Sequence, residues 1–311
     1  MYKMKKIVFL IVVVSLSLFS CKSNYTKIGD KHSNYIPYYL KMYEADSLFI
    51  IGNYQRSFEI SDSLFKKFEP INLEGYSEYM THIGSAIASN NFKDLKRKVK
   101  KSFVDYGAVI SNYEQDSILR IALIKTGFTI KDLNSFLEKH KKKINLSLRD
   151  TIEKMIEKDK SVRGKGYISD ENLRDVNDEN MALLKIIFDK YGYPSHSLIG
   201  YSLFNDKDID LGAVFLHASK TFKRQYLLPK LEVYSKKGFC LPSKYAVVYD
   251  RLLLDESNFD GNQLYGEIKF KNLKLINESK TDSIRKSIGL PSINYEKWRN
   301  NKLFGDYFNS K

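Results

Sequence analysis

Cysteine is scarce in this chain, with two in 311 residues, Cys21 and Cys240. An exported chain whose Cys21 is spent on another task leaves Cys240 alone, so no intramolecular disulfide framework is expected. No H-E-x-x-H, C-x-x-C or G-x-S-x-G occurs, which removes the common zinc and nucleophile-elbow chemistries. No metal site and no cofactor is expected. Long apolar runs are also lacking: the longest, residues 7–14 extended through 16–19, falls short of the ~20 residues that span a bilayer.

What is present suits a folded body. Apolar residues make up 43% and aromatics 14%, enough for the core of two modest domains. The formal charge is +14, and the excess is spread: 21 Lys and Arg against 15 Asp and Glu over residues 22–150, and 27 against 22 over 151–311. A diffuse excess excludes a dedicated nucleic-acid face and favours attraction to an anionic membrane surface.

Lys3, Lys5 and Lys6 ahead of the apolar run give residues 1–20 the layout of a secretory signal peptide. The run ends in Leu-Phe-Ser-Cys at 18–21, which resembles the lipobox of bacterial lipoproteins: an aliphatic residue three before the cysteine and a small one just before it. The resemblance implies that Cys21 is lipidated and becomes the first residue of the mature chain. Membrane lipid is thus an expected partner through acylated Cys21, and the protein is anchored to a membrane without spanning it. Lys22 stands where an Asp would imply inner-membrane retention, so the expected location is the outer membrane, facing the periplasm.

The periodicities predict a mainly α protein. Residues 21–34 are polar and aperiodic, as a flexible tether is. Over 35–145 the chain repeats itself: Tyr38, Met42, Tyr54, Phe65 and Phe68 return 38 positions later as Tyr76, Met80, Phe92, Phe103 and Tyr106. The pattern resembles degenerate tetratricopeptide-like helical hairpins, a third covering about 111–143, and implies a possible protein partner. Leu95, Val99 and Phe103 recur among the lysines of 93–101 as one face of an amphipathic surface helix. Residues 146–300 form a second, helical region: a helix capped by Asp178 and stopped by Gly192 and Pro194, a kink at Pro229, a helix opened by Pro242, and one small antiparallel β-hairpin near 264–277 turning at Lys271 and Asn272. A tail follows from 301.

Residues 155–298 also resemble an uncharacterised bacterial domain family whose members carry D-Q-x-x-R, D-x-x-N before a helix ending G-W-P, a His, D-R, Q-x-Y-G and an Arg before G-L. Here these are Asp159 with Arg163, Asn177 or Asp178 with Asn180, the Gly-Tyr-Pro of 192–194, His217, Asp250 with Arg251, Gln263 with Tyr265 and Gly266, and Arg285 before Gly289 and Leu290. Lys160 and Tyr193 depart from the family's Gln and Trp. The resemblance implies a shared fold and carries no activity.

At 100° per residue Asp159 and Arg163 face the core side of their helix, and Asp250 lies on a helix apolar nearly all round, so these charges should be enclosed and paired. Asp159, Arg163, His217, Asp250, Arg251, Gln263 and Tyr265 are therefore expected to meet in one polar cluster. Either it is a network that docks the hairpin on the helices, or it is a pocket with His217 or Asp250 as general base and an arginine holding an anion. The first alternative makes the protein a binding or scaffold lipoprotein, the second a hydrolase acting on an envelope component.

Overall fold

A computed structural model describes residues 25–71, 78–163, 169–201, 207, 209–258, 261–269 and 273–305. The signal segment, Cys21, Tyr76 and the turn expected at Lys271 and Asn272 lie outside the described residues. The fold is mainly α. None of the described helices is long and apolar enough to cross a membrane.

The first helices run α1 (Ile36–Ile50), α2 (Tyr54–Phe65), α3 (Glu78–Ala88) and α4 (Leu95–Val104). The period of 38 is visible in the backbone. At the end of α1, Ile51, Gly52 and Asn53 donate their N–H groups to Ser47, Phe49 and Leu48; at the end of α3, Ser89, Asn90 and Asn91 donate to Ser85, Ile87 and Ala86. Gly52 and Asn90 take left-handed φ values of +82° and +59°. Both ends thus stop by the same left-handed turn, which glycine and asparagine adopt most readily. Where the sequence suggests a third hairpin there are three helices, α5 (Ile110–Gln115), α6 (Ser117–Thr126) and α7 (Ile130–Lys141). Asp116 separates the first two by accepting the N–H groups of Ile118 and Leu119. α6 packs on α3 and α7 on α4, extending the layer of hairpins.

The second half contains α8 (Leu146–Ser161), α9 (Asp170–Tyr191), the short α10 (His196–Ile199) and α11 (Gly212–His217). Next comes α12, built from Lys220–Phe222, a π-helical segment Lys223–Leu227 and Leu228–Lys236, followed by α13 (Pro242–Glu256), α14 (Thr281–Ser287) and α15 (Tyr295–Phe304). Leu148, Ile152, Met155 and Ile156 bury the stripe expected of α8 against Leu184, Phe188 and Phe215. Two helix details differ from expectation. α9 begins eight residues before Asp178, because Ser169 caps it by accepting the Asn172 N–H. The irregularity attributed to Pro229 lies just ahead of it, where the Leu228 N–H reaches back five residues to the Lys223 carbonyl. The wider turn eases the contact between the proline ring and the carbonyl of Gln225.

The β-hairpin expected near 264–277 is corrected. Its place is taken by two parallel two-residue strands, β1 (Asn262–Gln263) and β2 (Lys274–Leu275), and residues 264–269 form a loop. The amides of that loop go to side chains of other elements, so no ladder forms.

The two halves are in contact. The Tyr39 hydroxyl lies 2.8 Å from the carbonyl oxygens of both Ser235 and Cys240, and the Tyr295 hydroxyl and Arg299 Nε of α15 meet Asp46 on α1. The segment expected to be a free tether to residue 34 is held from Thr26 onward: Thr26 N donates to Lys67, Gly29 N to Lys237 and Tyr35 N to Lys236.

Candidate functional site

Hydrogen bonds among the described residues sort the seven expected site residues into three groups rather than one. The first is centred on Asp159, in the last turn of α8 and 1% exposed. Its Oδ1 accepts Arg163 Nη1 at 2.7 Å and Asn180 Nδ2 at 3.3 Å, and its Oδ2 faces His217 Nδ1 at 2.9 Å. Arg163 extends to Asn177 Oδ1 at 2.5 Å. One carboxylate thereby ties α8 to α9 and α11. The side chains of Arg163 and His217 remain 23% and 27% exposed, so this group has a wet edge.

The second group is centred on Asp250, fully buried on α13. Its Oδ1 accepts the backbone N–H of Leu264 at 2.7 Å and of Tyr265 at 3.0 Å, and its Oδ2 that of Glu267 at 3.0 Å. The 264–267 stretch is therefore a ring of amides closed on a carboxylate. Gly266 makes the bend possible: its φ is +74°, and a Cβ there would stand 2.6 Å from Ile293 Cδ1. Burial pushes the Asp250 carboxyl above the usual carboxylate range, the three amides pull it down, and the charge of Glu267 adds to the upward push. Gln263 pins the same loop, with Nε2 donating to the Ile268 carbonyl at 3.1 Å and Oε1 accepting the Ile268 N–H at 2.9 Å. The ring of Tyr265 packs edge-on to Tyr245 and Tyr249, and its carbonyl accepts Arg285 Nη1 at 2.5 Å. Arg285 also pairs with Glu267 at 2.7 Å.

Arg251 belongs to a third group. Its Nε donates to Asp255 Oδ1 at 2.8 Å, and the other oxygen of Asp255 accepts Lys223 Nζ at 2.5 Å. Lys223 is 1% exposed, and burial lowers its pKa against the pull of Asp255. The π-helical segment carries Lys223 inward to this position.

Among the described residues no three His, Cys, Asp or Glu side chains are gathered to hold a metal ion. Cys240 is buried, with its thiol pushed up by burial. The Lys223–Asp255 pair and the link from Glu267 to Arg285 were not expected from sequence. Lys223 stands among other charges on an ordinary helical stretch, and no local signal marks it as buried.

A cleft that was also not expected opens on the first half. About 420 Å³ in volume, it lies between α2, α3 and α4, and its cations include Lys66, Lys93, Arg97, Lys98 and Lys101. Phe58, Phe65 and Tyr79 give it aromatic walls. His82 is buried beside it, bonded through Nδ1 to Ser61 Oγ at 2.8 Å and held neutral, its pKa pushed down to about 3 mainly by burial.

No protein-family model, curated protein or solved structure matches the chain.

Proposed function

We propose that this chain is a lipid-anchored cell-envelope protein, held through acylated Cys21 in the outer membrane and facing the periplasm, whose helical hairpins recruit a protein partner. The observation that carries this reading is the closure of Asp250. A carboxylate with no exposed surface, whose two oxygens accept three backbone amides, organises a loop and has no path to a substrate. One of the two groups that gather three of the expected site residues is thus a clasp. Surface for a partner is supplied by Ile121, Ile124 and Ile130 on α6 and α7, which are 42%, 76% and 62% exposed.

A photo-crosslinking residue at position 124 is expected to give one discrete protein adduct in cells, lost when Ile121 and Ile130 are both changed to Asp and retained in His217→Ala. Absence of any adduct at position 124 sinks the reading.

One observation favours a hydrolase as the second reading: a buried carboxylate, Asp159, orients a part-exposed imidazole, His217, as a general base requires. If His217→Asn abolishes in-cell function while folding and the position-124 adduct persist, the hydrolase reading replaces the scaffold.

A further inference from the structure

Beside the route to the anchor, the cleft between α2, α3 and α4 combines charge, shape and position. We propose that it binds the phosphate of an anionic lipid headgroup, so that the protein is seated on the bilayer by a specific contact as well as by its acyl chains. The membrane as the source of that phosphate rests on the reading of Cys21 as the anchor.

Charge comes first. Five cations line the cleft against two carboxylates, Asp62 and Asp94. Asp62 is engaged by Lys66 at 2.7 Å and Asp94 by Arg97 at 3.1 Å. Lys98 has no carboxylate within 4 Å among the described residues, although it is half-buried with its ammonium 5.0 Å from the centre of the Phe58 ring. Lys93 likewise has none. Burial lowers the Lys98 pKa, as expected of an ammonium deprived of water without a full counter-charge. An arriving phosphate supplies that counter-charge, and Arg97 beside it offers the planar donor fork that suits phosphate oxygens.

Position decides the source of the phosphate. Tyr25 forms part of the cleft wall, and the next residue, Thr26, is fixed by Thr26 N to Lys67 O at 2.8 Å and Glu69 N to Thr26 O at 2.9 Å. Tyr25 is only the fourth residue after Cys21. At about 3.6 Å per extended residue, an acylated Cys21 keeps this wall within roughly 14 Å of the headgroup plane. A small phosphate free in solution gains nothing from that tether. The aromatic walls, Phe58 and Tyr79, present apolar surface to the glycerol carbons that a headgroup carries with its phosphate.

The test uses the full chain as isolated from its membrane and reconstituted into vesicles of phosphatidylcholine, with or without phosphatidylglycerol. Acetylation rates at Lys93 and Lys98 are read by peptide mass spectrometry, with Lys139 and Lys220 as controls outside the cleft. Anionic vesicles are expected to slow Lys93 and Lys98 about tenfold while the controls change less than about twofold. Arg97→Ala, which removes one basic contact, should reduce the slowing from about tenfold to about threefold, since one basic residue near an anionic surface changes binding about fivefold. Equal slowing at all four lysines means diffuse attraction only, and overturns the proposal. So does equal protection by millimolar inorganic phosphate over neutral vesicles, which assigns the cleft to a free anion. Protection by a soluble polyglutamate peptide and not by the lipid assigns it to an acidic protein and overturns it as well. The mass of the N-terminal peptide reads the anchor separately. A chain without acyl groups at Cys21 refutes the anchor reading whatever the lysines show, and an acylated chain with unprotected Lys93 and Lys98 refutes this proposal alone.

Discussion

The two halves of the molecule differ in the polar groups they bury. In the hairpin layer most buried polar groups are small and neutral: Ser57 Oγ donates to the Ala45 carbonyl and meets Ser85 Oγ, Ser61 meets a neutral His82, and Ser102 meets Tyr113, while the buried carboxylates Asp46 and Glu78 are the exceptions and Asp46 turns to Tyr295 and Arg299 of the second half. Its ion pairs lie mostly at the surface, three or four residues apart on single helices, where each contributes little. The second half buries full charges and joins distant segments with them: Asp159 to His217, Asp250 to the 264–267 loop, Lys223 to Asp255, Arg285 to Glu267. Repeated hairpins need only local contacts to find their register, because each helix end carries its own stop signal. A loop-rich half has no such local rule. A buried charge there specifies one docking geometry, because any other leaves it unpaired.

That contrast is broken most directly at Asp250. Asp250→Ala leaves three backbone N–H groups buried without an acceptor, and should cost about 3–5 kcal/mol in urea unfolding. Asp159→Ala should cost only about 1–2 kcal/mol, because its partners Arg163 and His217 are part-exposed and can turn to water. Equal losses would mean that the Asp159 group is as closed as the Asp250 group, and the distinction between clasp and wet edge would fall.

The helix stripes were legible because burial imposes a period of 3.6 on the sequence. Leu95, Val99 and Phe103 are buried as expected, and so are Ile152, Met155 and Ile156. The enclosure of Asp159 and Asp250 was legible for the same reason. The identity of their partners was not: a helical wheel gives the face on which Asp250 sits, but not that the face is met by backbone amides of 264–267. That choice also undid the expected hairpin, since amides bound to a carboxylate are lost to a ladder. The basic cleft was out of reach because Lys66 and Lys98 come from different hairpins and meet only through packing.

A smaller effect sharpens the contrast through pH. In the hairpin layer His82 titrates near 6.5 when unfolded and near 3 when folded. Between those values the unfolded chain binds a proton that the folded chain refuses, so stability falls as pH drops, by about 1.4 kcal/mol per unit. From pH 6.5 to 5 the loss is about 2 kcal/mol. Asp250 acts in the other direction: with its folded pKa raised, its share of stability is present in acid and fades as pH rises through that value. Urea midpoints at pH 7, 6 and 5 should therefore fall in the native chain and flatten in His82→Gln. An unchanged slope in that variant would show that His82 takes up its proton within the fold.

The smallest effect tests whether the hairpins share one rule. Gly52 sits at φ +82° with open space around its Cα, so Gly52→Ala meets no clash and is charged only for the left-handed backbone, about 1 kcal/mol. Asn90 occupies the equivalent place 38 residues later at φ +59°, closed by the same set of backbone hydrogen bonds. If the turn is a property of the repeat, the residue that serves the second hairpin should serve the first. Gly52→Asn is then expected to cost a few tenths of a kcal/mol, clearly less than Gly52→Ala, because asparagine tolerates the left-handed region through its short polar side chain. Thermal unfolding of the two variants side by side reads the difference. Equal costs would mean that the first turn depends on glycine for a reason of its own, and the likeness between the two helix ends would be one of shape without a shared sequence rule.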